Sequence, residues 1–304
     1  MYCPFVGLGL YRGFRGNRWL KNRIKIFKQF VVPSLQNQSC TDFILLISWT
    51  REMRHNSYVK ELVKYMDTIK EFKTVHTYNG VLFYDDKYSD TEARDRLITA
   101  IHGSMPNLLD HISQCDYVLL TIQPSDDCYD RTAVQGIQTV FRETDLEGVG
   151  FTKGYICDYL TKQIAEYNPT TNPPFYTIKF PRDTFTDPLK HYNFTALKKD
   201  VGKYKVGTAC PSHEYVEYCV KYGKINVRGF LVGCHTENIS TYYNHPFKGN
   251  DVDRNLLRNF GIYDVPPLKL RFSLRKWVLR KLPFKIQRKL RYWWGEKLYN
   301  FLRA

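Results

Sequence analysis

No stretch of this 304-residue chain approaches the ~20 uncharged apolar residues that cross a bilayer, so an integral span is not expected. Met1 to Leu10 is too short and too glycine-rich to serve as a secretory leader. The eight cysteines include no C-x-x-C pair, which argues against a zinc ribbon or a thioredoxin-type site. Cys210, His213, Cys219, Cys234 and His235 fall close together, but their spacings match no familiar zinc module. These absences point to a reduced, cytoplasmic protein. There is no internal repeat and no low-complexity tract. With 43% hydrophobic and 15% aromatic residues, disorder is not expected either.

The chain is strongly basic, at +15, but the charge is unevenly spread. Residues 269–304 hold twelve Lys or Arg against the single acid Glu296, leaving +4 for the other 268 residues. A body built to wrap nucleic acid would carry its basic face throughout, so no nucleic-acid partner is expected. The tail has its own pattern. Ile286, Leu290, Trp293, Leu298 and Phe301 fall near one helical face, with Lys285, Arg288, Lys289 and Arg291 around them. With Trp277 and Trp294 this reads as a basic amphipathic helix pair, broken at Pro283, lying on an anionic membrane surface. The alternative is a tail packed on its own domain or on nucleic acid.

Alternating helical and strand patterns fill the first half. Leu20, Ile24, Phe27 and Val31 recur at helical spacing, and Pro33 is expected to end that helix. Phe43 to Ser48 is a continuous apolar run, the mark of a buried parallel strand. A helix carrying Tyr58, Leu62, Met66 and Ile69 follows, with Ser57 as its expected N-cap. Thr74 to Tyr78 reads as a short strand, and Thr91 to Ile101 and the stretch after Pro106 as helices. Asp116 to Ile122 reads as a second central strand. The order predicts a doubly wound α/β sheet, whose ligands bind beyond the carboxyl ends of the strands. Further on, Phe151 to Ile156, Phe175 to Phe180 and Gly229 to Cys234 read as strands, and a helix is expected from Ser212.

The expected site therefore begins at Gln123-Pro124-Ser125-Asp126-Asp127, where two adjacent carboxylates follow the apolar strand. Such a pair suits a hard cation bridging to a diphosphate. It equally suits a solvated turn in which Asp127 caps a helix starting near Tyr129.

Several segments, in order, resemble a rhamnosyltransferase family of GT-A-type enzymes. They are Trp19-Leu20-Lys21-Asn22-Arg23 through Pro33-Ser34-Leu35-Gln36-Asn37-Gln38 to Asp42-Phe43, then Gln123 to Asp127. Lys153-Gly154-Tyr155, Asn172-Pro173-Pro174-Phe175-Tyr176 and Gly233-Cys234-His235-Thr236-Glu237-Asn238-Ile239-Ser240 complete the match, over roughly residues 15 to 250. The resemblance implies a GT-A-like doubly wound mixed sheet over residues 1–268. Its Rossmann-like nucleotide-sugar half would span about 15–130 and its acceptor half 131–268. It implies transfer of a sugar, a deoxyhexose such as rhamnose among the candidates, from a nucleotide-diphosphate donor to a glycan or lipid-linked acceptor.

It also implies roles. Asp126 and His235 would hold Mn²⁺ or Mg²⁺, and Asp127 would lie nearby or bind the donor's ribose. The family's first acid aligns with Pro124, so the metal motif is incomplete; Asp130 is a substitute carboxylate. That gap keeps open a catalytically inactive scaffold binding glycan or nucleotide. Glu214, then His213, are the expected inverting base, with Asp187 and His191 behind them. Glu214 also reads as an ordinary acid in a helix first turn. Asn172, Phe175 and Tyr176 would form an acceptor platform, or simply a turn. Trp49 would meet the nucleotide base, and Arg94 or Arg96 the phosphate, though both arginines also read as surface residues.

Overall fold

The computed structural model describes residues 1–5, 16–80, 90–160, 163–235, 250–251 and 254–262, with the isolated residues 282 and 286. The membrane-tail expectation for 269–304 thus lies outside the described residues, apart from Leu282 and Ile286. Among the described residues no helix is long and apolar enough to cross a membrane.

Strand β1 (Tyr2–Pro4) leads through α1 (Asn17–Ile26), a π-helical turn (Phe27–Val31) and α2 (Val32–Gln36) into β2 (Ile44–Ser48). The helix does not stop at Pro33. In the wide turn the Val32 N–H reaches back five residues to the Phe27 carbonyl. This opens the spacing at the point where Pro33 lacks a donor and its ring would crowd the preceding turn. After α3 (Ser57–Met66), β3 (Lys73–Thr77) completes a three-stranded parallel sheet in the order β1-β2-β3. The cap of α3 is Asn56 rather than Ser57, its side chain accepting from the Tyr58 N–H.

The apolar run of β2 is buried on both sides, as a continuous pattern requires. Leu45 and Ile47 pack with Leu20, Ile24, Phe27, Leu62 and Met66 from the helices on one face. Leu46 packs on the other with Ile101, Met105, Leu108 and Ile112. Those residues come from α4 (Asp90–Ser104), the short turn after it, and α5 (Leu109–Ile112).

The next strand, β4 (Tyr117–Thr121), departs from the doubly wound expectation. It pairs antiparallel with β8 (Tyr176–Pro181) instead of entering the parallel sheet. Just past its end it joins the first sheet, where Ile122 bridges to Tyr2 and the Gln123 N–H donates to the Tyr2 carbonyl. An apolar run shows that a strand is buried, not which strand it joins.

Between β4 and β8 lie β5 (Cys128–Tyr129), α6 (Ala133–Glu143), β6 (Gly148–Asp158) and β7 (Gln163–Tyr167). After β8 come α7 (Arg182–Thr186), α8 (Pro188–Thr195), a 3₁₀ turn (His213–Tyr218), β9 (Tyr222–Cys234), β10 (Asn250–Asp251) and α9 (Arg254–Asn259). The helix expected from Ser212 is therefore the tighter 3₁₀ form, with Ser212 capping it. The second sheet runs β10-β7-β6-β8-β4, and β9 lies parallel to β6 while also pairing with β5. Phe151, Phe175 and Phe230 form the centre of its core. The α/β class holds, as a parallel sheet joined to a larger mixed one.

Candidate active site

The acidic loop follows β4 at the seam between the two sheets. It is pinned from inside by Gln123, a wholly buried side chain whose Nε2 donates to the Pro124 carbonyl at 2.7 Å and the Asp127 carbonyl at 2.9 Å. It is held from outside by the helix that opens the chain. Ser34 donates to the Tyr129 carbonyl at 3.1 Å and accepts from its N–H at 3.0 Å. Gln38 donates to the Asp130 carbonyl at 2.8 Å and accepts from the Val134 N–H at 3.2 Å. The Pro33–Gln38 motif and the acidic motif, some ninety residues apart, are thus one structural unit. Their hydrogen bonds, made away from water, fix the loop's position.

Asp126 lies at the centre. Its Oδ2 accepts from His235 Nε2 at 3.1 Å and forms an ion pair with the Arg23 guanidinium. Arg23 is 1% exposed and Asp126 14%. His235 follows the end of β9 and is buried, its ring close to parallel with that of Tyr159 at 6.2 Å. The Tyr159 hydroxyl donates to the Asp126 carbonyl at 3.0 Å, and its ring stacks on Phe30 at 3.7 Å. Burial alone would raise the Asp126 carboxyl, but Arg23 and His235 outweigh it and bring the pKa down to about 2.

Asp127 behaves in the opposite way. Burial and the neighbouring Asp126 charge push its carboxyl well above the ordinary range. Its Oδ1 accepts from the Gly233 N–H at 2.9 Å, so it fastens the loop to β9. It caps no helix near Tyr129; that residue belongs to β5, and the next helix begins at Ala133. Asp130, the substitute carboxylate, is taken up by the Thr132 N–H and hydroxyl at 2.9 and 2.8 Å.

The donor set does not fit the divalent cation expected at Asp126 and His235. Among the described residues no three His, Cys, Asp or Glu side chains converge to hold a metal. Mg²⁺ and Mn²⁺ are commonly held by one or two carboxylates together with waters and substrate phosphates, so the decisive point is what already engages Asp126. Asp126 Oδ2 is already shared by a guanidinium and an imidazole.

A second cluster forms around the loop before β8. His213 Nδ1 lies 2.5 Å from the Asn172 carbonyl, and Asn172 Nδ2 donates to the His213 carbonyl at 3.1 Å. The Tyr222 hydroxyl donates to Asn172 Oδ1 at 3.0 Å, and Thr171 donates to Glu214 Oε1 at 3.1 Å. The expected base and the expected acceptor loop are therefore brought together. A carbonyl only accepts, so His213 carries its proton on Nδ1, leaving Nε2 as the basic nitrogen. Burial lowers its pKa and favours this neutral form. Glu214 is exposed. The Ile122 N–H donates to the Tyr176 carbonyl at 3.1 Å, so this loop enters β8 beside the acidic loop's own start.

The other expected site residues are placed elsewhere. Trp49 is fully buried, packed on Phe5, and its indole N–H donates to His76 at 3.2 Å. Phe175 is also fully buried, stacked on Phe230 at 4.1 Å, while Tyr176 is half-buried in β8. Arg94 lies over the Tyr192 ring at 5.3 Å, and Arg96 is a half-buried residue of α4. Asp187 caps α8 and His191 is core. Arg23, Gln123 and Tyr159 were not expected as site residues. Arg23 alone had a readable signal: a basic residue on the face marked by Leu20, Ile24 and Phe27 must find a buried partner.

No protein-family model matches the chain, and no curated protein does. Solved structures similar to it include S. aureus TarS 1–349, at TM-score 0.37 and 10% identity, covering 70% of this chain and 58% of that one. The same protein in complex with UDP matches at 0.38 and 8% identity, over 77% and 59%. In complex with UDP-GlcNAc it matches at 0.40 and 10% identity, over 100% and 86%. The chain thus spans little more than half the length of the first two. Similarity at this level assigns no substrate and no residue role.

Proposed function

We propose that the chain is a glycosyltransferase that moves a sugar from a nucleotide-diphosphate donor to a glycan or lipid-linked hydroxyl. The observation that carries this reading is the meeting of Arg23, Asp126 and His235. They come from three distant segments of the sequence resemblance and are held together at the seam where a parallel sheet gives way to a mixed one. Crevices at such strand ends are where open α/β sheets bind ligands.

In this reading the donor's diphosphate lies at the acidic loop and the acceptor over the Asn172–His213 cluster. His213 Nε2, or the nearby Glu214, takes the acceptor's hydroxyl proton as that oxygen bonds to the anomeric carbon. The bond from the anomeric carbon to the diphosphate breaks, and the nucleoside diphosphate leaves with its electron pair. Attack opposite the leaving group inverts the anomeric centre. A deoxyhexose such as rhamnose is the donor sugar implied by the sequence resemblance. The basic segment 269–304 would hold the enzyme at an anionic membrane surface in the cytoplasm, near a lipid-linked acceptor.

The test is release of nucleoside diphosphate from UDP-, GDP- and dTDP-sugars by wild type, Asp126→Asn and His213→Gln, with glycan acceptors added. Turnover of one donor that falls at least tenfold in both variants supports the reading. Binding of a nucleotide without turnover would favour the inactive scaffold, for which Pro124 is the specific evidence.

A further inference from the structure

We infer that Arg23 is the resident cation of the donor site, so that this chain binds its nucleotide-diphosphate sugar without a divalent metal. The inference rests on the donor-site reading above and concerns what neutralises charge there.

One acid is absent from the loop, and a buried arginine stands against the next. Where the resemblance has an acid, this chain has Pro124, so one negative charge is missing from the loop. Of the two carboxylates that remain, Asp127 is buried, accepts from the Gly233 N–H and is pushed toward its neutral form, and Asp126 is matched by one guanidinium. A single carboxylate with a single arginine is as neutral as two carboxylates with a divalent ion. At Asp126 a covalently attached cation thus already stands where a dissociable one would otherwise neutralise the carboxylate. Arginine suits the role because its guanidinium stays protonated at any working pH and offers several donors in a fixed plane.

The guanidinium is also positioned rather than adventitious. It is 1% exposed, lies 5.1 Å from the ring of Trp19, and projects from the buried face of α1. The widened turn after α1 keeps that helix continuous into the Ser34–Gln38 anchor that grips the acidic loop. His235 donates to the same Asp126 oxygen from the opposite strand. A metal ion on that oxygen would have to displace one donor and then sit beside a buried positive charge, and like charges at close range repel strongly.

The test is a Mn²⁺ titration of the full chain, followed by the electron paramagnetic resonance of free Mn²⁺, beside donor turnover in EDTA and in Mn²⁺. The expected results are no stoichiometric Mn²⁺ binding below millimolar concentration and turnover within twofold in the two buffers. Arg23→Gln should lose at least tenfold of the turnover in EDTA and recover part of it with Mn²⁺, a rescue that a purely structural arginine would not show. Stoichiometric Mn²⁺ binding to wild type that Asp126→Asn abolishes would overturn the inference, as would turnover that requires Mn²⁺. If no donor turns over in either buffer, the glycosyltransferase reading fails on its own account. The Mn²⁺ titration still tests the inference: no stoichiometric binding to wild type below millimolar concentration supports it, and binding that Asp126→Asn abolishes overturns it.

Discussion

Asn172 and His213 hold one another through two hydrogen bonds across 41 residues of sequence, side chain to carbonyl in both directions. One bond fixes the imidazole tautomer; the other ties the 3₁₀ turn to the loop before β8. Burial lowers the His213 pKa, so the ring stays neutral as the pH falls below the usual histidine value near 6.5. If Nε2 is the acceptor's base, kcat/KM should hold its plateau below pH 6.5 and fall only as the lowered pKa is crossed. A pH–rate profile checks this, and His213→Gln should remove the acidic limb. A limb at or above pH 6.5 would point to another base.

Asn172→Ala removes two bonds made by one side chain, to the His213 carbonyl and to the Tyr222 hydroxyl. Each is worth about 1 kcal/mol, and the abandoned partners are half-buried. We expect a loss of roughly 1–3 kcal/mol in urea unfolding and a fall in kcat larger than any rise in KM. An unchanged midpoint would show that the two segments hold together without this residue.

The Arg23–Asp126 pair sets a stricter expectation. Breaking a buried pair strands a charge and costs about 3–5 kcal/mol, whereas removing both partners strands none. Asp126→Asn and Arg23→Met should each destabilise the fold strongly, and the double variant less than the worse single one. Chemical denaturation of the four proteins closes the cycle. Additive losses would mean that the two side chains do not depend on one another.

What could be read from sequence here depended on how local the signal was. The helix marked by Leu20, Ile24 and Phe27 and the buried run ending at Ser48 are recorded in spacing and apolar content, and both are present in the fold. The meeting of Asp126 with His235 was reached through resemblance, since 109 residues separate them. The antiparallel pairing of β4 with β8 was not legible, because strand composition carries burial but not partner identity. The burial of Trp49 was hidden for a similar reason: a tryptophan at a strand end looks alike whether it faces a ligand or its own core. Pro33 misled because a proline normally ends a helix, and only the π turn shows how this one is tolerated.

His191 provides a stability test outside the site. It is 9% exposed, its ring lies 4.4 Å from that of Phe180, and its Nδ1 donates to the Phe185 carbonyl at 3.1 Å. Burial lowers its pKa to about 4, against 6.5 for the free side chain. Between those values the unfolded chain binds a proton that the folded chain does not, so stability falls as pH drops through this window. The contribution lost between pH 7 and pH 5 is on the order of 2 kcal/mol. His191→Leu should flatten the fall in urea midpoint over that range; an unaltered slope would assign it to other groups.

At Gly233 β9 passes directly against the acidic loop. The Gly233 N–H holds Asp127, and a Cβ there would run into the Asp126 carbonyl and the Tyr159 ring. Neither neighbour yields easily, since one is backbone and the other is stacked on Phe30. Gly233→Ala should therefore cost about 1–3 kcal/mol in thermal unfolding and displace the loop that carries Asp126. A variant with wild-type melting temperature and full donor turnover would show that the loop has room to move.

The basic segment 269–304 carries +11 of the chain's +15, so its removal tests where the protein's affinity for anionic surfaces resides. Each Lys or Arg near an anionic leaflet contributes about 1 kcal/mol, and the effect is screened by salt. Full-length protein should co-sediment with phosphatidylserine vesicles, release as salt rises, and ignore zwitterionic vesicles; the 1–268 truncation should remain in the supernatant. Retained binding by the truncation would move attention to the body, where Lys21, Lys25 and Lys28 line a groove of about 480 Å³ between α1 and α3. Because the body keeps only +4, strong binding there would have to come from that local clustering and not from net charge.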